Sequence, residues 1–538
     1  MSKPQNTNAF PEASSKVRIE SLIQLKRDFK QELPKSEEYY DRRVYFDGVY
    51  EYYPYVFSKC LPHDQTTGFV KKQDADKLIA AWKNGDKESL DAIILSEVPG
   101  RTLKPEGVAA SQSFQMMGTD STVYAIEGIH SVDSDEAAFE QAEVYARSLA
   151  RDVPFVNYST DPVISSLVDA LDEYPQAGNT AYHPVTHANI FRGTLPGDLI
   201  GPFISQFLIQ DFSYSNIIVQ QKFQPEDDFA SSKTWADFID VQNGKVNGTI
   251  VKTDAKFCYN ARTLGAKVHN DPLFAFYYNA ALICLQNGYG PSGFSHDKTS
   301  DWTSGGGPSV LASVAHVAIG ALRTAWNSKF GQAMRIRPEV YAARLNFADN
   351  PDNATIVSAV PGLSGIYSKL KGQIKTLVKG QDANNNLLLL NQFPEGSPTH
   401  PSLPAGHAVV AGACVTVLKA MLDLHDSNND AKMWNPTAYE ASADGESRIQ
   451  YNGNDLTVVG ELNKLASNVS YGRDFAGVHA RVDGRSGIEL GEKYAISYLK
   501  DVAKEYHESS SGLFQGWLLE KFDGSKVIIS SSNVISVV

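Results

Sequence analysis

The chain is poor in cysteine. Cys60, Cys258, Cys284 and Cys414 are the only four among 538 residues, and none forms a C-x-x-C pair. That implies no disulfide framework and argues against a zinc site built on thiolates. Cys284 and Cys414 lie in apolar helical patterns and read as small core residues. No apolar run of about 18 residues is present, so no membrane span is expected. The N-terminal stretch MSKPQNTNAFPEASSKVRIE lacks the apolar core of a signal peptide. The expected location is therefore the cytoplasm, or outside it with a leader missing from this chain. Motifs of the form G-x-S-x-G, H-E-x-x-H and Walker A are absent. Their absence removes the common hydrolase, zincin and P-loop readings. Positive charge is also short. There are 49 Lys and Arg against 62 Asp and Glu, a net charge of -13. That argues against a nucleic-acid partner and for a self-repelling surface.

What is present is enough for a large core. Hydrophobic residues make up 42% and charged residues 21%, so disorder is excluded by composition. We read residues 1–40 as a polar arm, 41–180 as a mostly helical N-terminal region, 181–510 as a catalytic helical bundle and 511–538 as a C-terminal hairpin. Residues from about 135 to 172 look helical. The apolar stretch 189–214, broken by Pro-Gly and Gly-Pro pairs, reads as a buried loop feeding a core helix. The Asn-Gly pairs at 243 and 247 suggest a hairpin. PLFAFYYNAALICLQNG and PSVLASVAHVAIGALRTAWNSKFG are apolar on most of their surface and belong in a bundle core. Asp523-Gly524 between two strand-like runs signals a second hairpin. The expected fold is mainly α, a large multi-helix bundle with small β-hairpins.

Three stretches carry chemistry. In FPEGSPTHPSLPAGHAVVAGACVTVLKAMLDL, apolar positions fall at helical spacing from Val409 onward. The helix should start near Gly406–His407, where free backbone N–H groups attract anions and glycine admits a close ligand. In AWNSKFGQAMRIRPE, Lys329 lies near a helix end and Arg337 precedes Pro338, hence in extended chain. In NVSYGRDFAGVHAR, Arg473 and His479 would face different sides of an unbroken helix. Gly472 and Gly477 make a break plausible, and a break lets both groups face one cavity.

Together these stretches, K-x7-R-P, then H-x3-P-x-G-H, then G-R-x5-H, resemble the vanadium-dependent haloperoxidases. The likeness extends through NIFRGTLPGDLIGPFISQF and GELNKLASNVSYGR, and that density resembles the bromoperoxidases of red algae and their cyanobacterial relatives. It implies paired four-helix bundles of the kind shared with a family of acid phosphatases. It implies vanadate as cofactor, with His479 bonded to vanadium. Lys329, Arg337, Arg473 and the Gly406 N–H would neutralise its oxygens. His407 would act as acid–base group during peroxide binding, and Lys329 would polarise the bound peroxide. His400 matches a second histidine typical of bromoperoxidases, which implies oxidation of bromide or iodide, and possible chloride use, with hydrogen peroxide. Small organic molecules would then be halogenated by hypohalous acid. Relatives form dimers to dodecamers. Ala405 departs from the family pattern, which has a serine there whose hydroxyl bonds a vanadate oxygen. That loss is worth about 0.5–1.5 kcal/mol.

Other features read more plainly. His316 reads as a satisfied core histidine. Trp326 and Phe330 read as core, although Trp326 also matches a tryptophan seen in some members. His183 and His187 have i, i+4 spacing, but Pro184 between them argues for a structural role. GYGPSG lacks the strand and helix context of a dinucleotide fingerprint. Phe294, Asp297 and Asp301 fall where some relatives bind calcium, and the two aspartates could serve as oxygen ligands. Two other functions remain open: an acid phosphatase with His479 as nucleophile and His407 as general acid, or an oxyanion-binding protein without catalysis.

Overall fold

The computed structural model describes residues 40–113, 115–174, 183–294, 296, 298–381 and 383–537. The polar arm thus lies outside the described residues, apart from its last position. Helices dominate, and the strands among the described residues are short and arranged in four small sheets. The mainly α architecture is as expected.

Helices α1 (Asp135–Leu149) and α2 (Pro162–Asp172) fill the stretch read as helical. Ser134 caps the first by accepting from the Ala137 N–H, and Asp161 caps the second, with Pro162 in its first turn. The 189–214 segment departs from expectation. It feeds no core helix, but one 3-10 turn, Gln206–Leu208, and then strand β1 (Phe212–Tyr214). Gly197 and Gly201 take left-handed φ values of 96° and 75°, which a regular helix cannot include. β1 pairs with β2 (Ile217–Val219), so the hairpin lies upstream of the Asn-Gly pairs. Asn243 instead ends helix α3 (Trp235–Gln242), which a Thr234–Asp237 capping box nucleates despite the β-branched composition nearby.

α4 (Ala261–Lys267) and α5 (Ala275–Gln286) precede the long helix α6 (Gly307–Ser328). By length and composition Gly307–Ala333 is apolar enough to cross a membrane, although small and polar residues interrupt its apolar run. Half of its apolar window is buried inside the structure. Val310, Val314, Ala318, Ala321 and Ala325 belong to the main core. His316, on the same helix, is exposed and meets the edge of the Tyr498 ring, so it is not a core residue. Helical periodicity turned it outward.

After α7 (Pro338–Asp349), three helices build the centre: α8 (Gly406–Met421), α9 (Val458–Phe475) and α10 (Arg481–Glu505). Every residue of α9 is buried, and every residue of α8 except His407. The crossing of α8 and α10 depends on missing side chains. A β-carbon on Gly412 would lie 2.2 Å from the Ile488 carbonyl oxygen, and one on Gly491 2.1 Å from that of Val409. The two backbones therefore touch. The chain closes on β3 (Trp517–Glu520), β4 (Lys526–Ile529) and β5 (Val534–Val537), with the expected Asp523-Gly524 turn between the first two.

Candidate functional site

α8 starts at Gly406, as the sequence predicts. Ala405 precedes it in extended conformation, with no side-chain cap for the helix. Its own N–H donates to the Asp483 carbonyl at 2.9 Å. The uncapped first turn keeps the partial positive charge of a helix N-terminus. At Gly406 a β-carbon would press on the Trp326 ring at 3.1 Å.

α6 does not simply stop. It passes into a π-helical turn, Lys329–Ala333, which ends at Met334 in the left-handed region. Such turns often mark functional sites. Lys329 is thus on a helix end, and Arg337 is extended (φ -80°, ψ 157°) just before Pro338 opens α7. The third stretch breaks where Gly477 takes φ 86°. Gly472 is no part of the break. It lies inside α9, where a β-carbon would meet Val268 at 2.8 Å. Arg473 occupies the last turn of α9 and His479 the gap before α10.

These elements bring the predicted residues together. A cavity of about 580 Å³ is lined by His400, Gly406, His407, Arg473 and His479, with Trp326 on its wall. Trp326 packs against His400, ring centroids 4.5 Å apart, so it belongs to the pocket. Phe330 is core, as expected. Lys329 and Arg337 are fully buried and do not line this cavity; Arg337 lines a second one of about 400 Å³, together with Ser402 and Asp483. The Arg337 Nη1 is 2.9 Å from Nε2 of His479, and Nη2 is 3.1 Å from Nδ1 of His400. Lys329 Nζ donates to the carbonyls of Pro401 and Ser402 at 2.7 and 2.8 Å. Arg473 Nη1 donates to the Val268 carbonyl at 2.7 Å, while its Nε has no partner.

Burial and mutual repulsion shape the electrostatics. Burial, followed by the Arg337 charge, pushes the Lys329 ammonium well below its usual range. Burial, then Lys329 and Arg337, keeps His400 neutral far below ordinary imidazole values. Burial and Arg337 do the same to His479.

Two partners were not singled out from the sequence. Asp483 accepts from Nδ1 of His479 at 2.9 Å and also from the Ala480 N–H and the Ser402 hydroxyl. Burial alone would raise its carboxyl. Arg335, His479 and Ser402 outweigh burial and hold it well below the usual carboxylate range. Its i+4 spacing from His479 was a readable signal. Asp271 sits 2.8 Å from Nε2 of His407 and is 136 positions away in sequence. Nothing local announces that pairing.

The remaining candidates stay apart from this site. Phe294 packs its ring on Tyr506 and Phe514. Asp297 lies outside the described residues. No group of three or more His, Cys, Asp or Glu that could hold a metal ion occurs among the described residues. The calcium expectation therefore gains no support. His187 bonds the Ser165 hydroxyl, and His183 packs on Phe139, consistent with structural roles.

No family model matches the chain. It is 29% identical to a vanadium-dependent bromoperoxidase of Ascophyllum nodosum over 506 residues, covering 88% of this chain and 87% of the relative. It is 28% identical to the vanadium-dependent bromoperoxidase of Corallina officinalis over 557 residues, covering 88% and 90%. Among solved structures it superposes on the homohexameric second vanadate-dependent bromoperoxidase of Ascophyllum nodosum. The TM-score is 0.85 and the identity 25%, over 100% of this chain and 96% of that one. The likeness runs the length of the chain, so this chain, with its cationic pocket around buried histidines, is similar in sequence and fold to vanadium-dependent bromoperoxidases.

Proposed function

We propose that the chain oxidises bromide and iodide with hydrogen peroxide, forming hypohalous acid that halogenates small organic molecules, with vanadate held at this site. Three buried cations carry the proposal. Among the described residues, none of Lys329, Arg337 and Arg473 has a carboxylate within ion-pair distance; each donates to backbone carbonyls. A buried charge without a counter-ion is costly, and a bound oxyanion offsets that cost.

The donor set fits vanadate. Guanidinium forks match its oxygens, and the ammonium adds a compact charge. Two of the three Lys329 protons are used on carbonyls, which leaves one for the anion. The Asp483 carboxylate takes the Nδ1–H of His479, so Nε2 carries the lone pair; it accepts from Arg337 Nη1 here and would have to exchange that hydrogen bond for the metal. Bound there, vanadate supplies a Lewis-acidic centre that activates peroxide without changing oxidation state. His407 is partly open to the cavity. With Nε2–H on Asp271, its Nδ1 is free to take a proton from incoming peroxide and return it. His400 shares the cavity and supports bromide or iodide as the halide. The hexameric relative supports assembly of several copies.

The test is bromination of monochlorodimedone against hydrolysis of phenyl phosphate, each with and without orthovanadate. Vanadate-dependent bromination is expected. Hydrolysis without bromination would make the chain a phosphatase, and tight phosphate binding with neither activity an oxyanion-binding protein.

A further inference from the structure

His269 lies at the cavity wall with both ring nitrogens engaged. Nδ1 is 2.7 Å from Glu226 Oε1, and Nε2 is 2.6 Å from Glu395 Oε1. An imidazole between two carboxylates donates from both nitrogens and is therefore an imidazolium. Its ring stacks flat on Phe393, centroids 3.6 Å apart and planes 5° apart. Phe393 is fully buried and clusters with Ala476 and Val478, the residues that lead into His479. The same ring lies 5.2 Å from the Arg473 guanidinium carbon. The residue before His269 supplies a second link, because the Val268 carbonyl accepts from Arg473 Nη1. Arg473 has no carboxylate partner within ion-pair distance among the described residues. Its direction is set by this ring and this carbonyl.

We infer that His269, clamped between Glu226 and Glu395, is a positioning residue that aims Arg473 at the bound oxyanion. This rests on the site being an oxyanion site, as proposed above. Two carboxylates fix the imidazolium, the imidazolium fixes Phe393, and the Phe393 face with the Val268 carbonyl holds the guanidinium. The carboxylates pair directly with His269 and act on Arg473 only through space, alongside Asp271. Outer partners of this kind change metal-site affinity by about 10–100-fold when lost.

The test is a double-mutant cycle on the vanadate-free protein. Orthovanadate and, separately, inorganic phosphate are titrated calorimetrically into wild type, His269→Ala, Arg473→Ala and the double variant. Melting temperatures confirm folding. We expect His269→Ala to weaken both anions by about 10-fold, and to cost nothing further once Arg473 is gone. A packing role alone would give additive losses. Additivity, or no loss from His269→Ala, overturns the inference. If His269→Ala does not fold, Glu226→Gln keeps the shape and removes one clamp, and the same non-additivity is required of it. Wild type that binds neither anion would sink the oxyanion site and this inference together. Phosphate binding without bromination would sink only the haloperoxidase reading, and the cycle would still decide this one.

Discussion

Nδ1 of His479 and Oδ2 of Asp483 lie 2.9 Å apart across a single turn at the start of α10. The contact fixes which ring nitrogen carries the proton and which is left to ligate. Asp483→Asn removes that preference while keeping the shape. We expect vanadate affinity to fall by about 10–100-fold, read as the vanadate concentration needed for half-maximal bromination. Unchanged affinity would show that the carboxylate does not set the tautomer.

Lys329 separates binding from turnover. Its ammonium is one of three cations near the anion, so Lys329→Ala should retain part of the vanadate binding. If Lys329 polarises peroxide, turnover at saturating vanadate should drop by about 100-fold or more, as when one stabilising donor is lost from an active site. Bromination at the wild-type rate would refute that role.

Ala405 offers a gain-of-binding experiment. Ala405→Ser adds a hydroxyl at the N-cap of α8. One hydrogen bond worth about 0.5–1.5 kcal/mol should tighten vanadate by roughly 2–10-fold, and a serine cap should also raise the melting temperature. Weaker vanadate binding would mean that the hydroxyl is turned elsewhere or crowds the anion.

His63 predicts acid sensitivity away from the site. It is buried, with Nε2 3.0 Å from the Ser58 hydroxyl and Nδ1 3.3 Å from Asn243 Oδ1. Burial, then Arg344, pushes it down to about 4. The unfolded chain takes up the proton first as pH falls from about 6.5, so stability declines through the window down to about 4. One such group accounts for roughly 1.4 kcal/mol per pH unit inside that window. His63→Gln should flatten the fall of melting temperature with pH. Parallel curves for the two proteins would exclude His63 as the cause.

The local starts and stops were legible because they are set by neighbours in sequence. Pro338 put Arg337 in extended chain, Gly477 allowed the break before His479, and the apolar spacing after Val409 placed the start of α8. Long-range pairings left no such trace. Asp271 meets His407 and Glu395 meets His269 only because the fold brings distant segments together. The hairpin near residue 212 was misplaced because composition outweighed the Thr-x-x-Asp start of α3. Trp326 was read as core because an indole that walls a pocket and one that fills a core have the same local pattern.

The bare crossing of α8 and α10 means that main chain sets how closely the two helices approach. One helix begins at Gly406, on the cavity, and the other begins two residues after His479, the imidazole proposed to hold the vanadate. A single methyl group added at Gly412 or Gly491 would wedge the two frames apart and spoil the pocket from a distance. Inherited variation in this enzyme should therefore be restricted at positions that no substrate ever reaches.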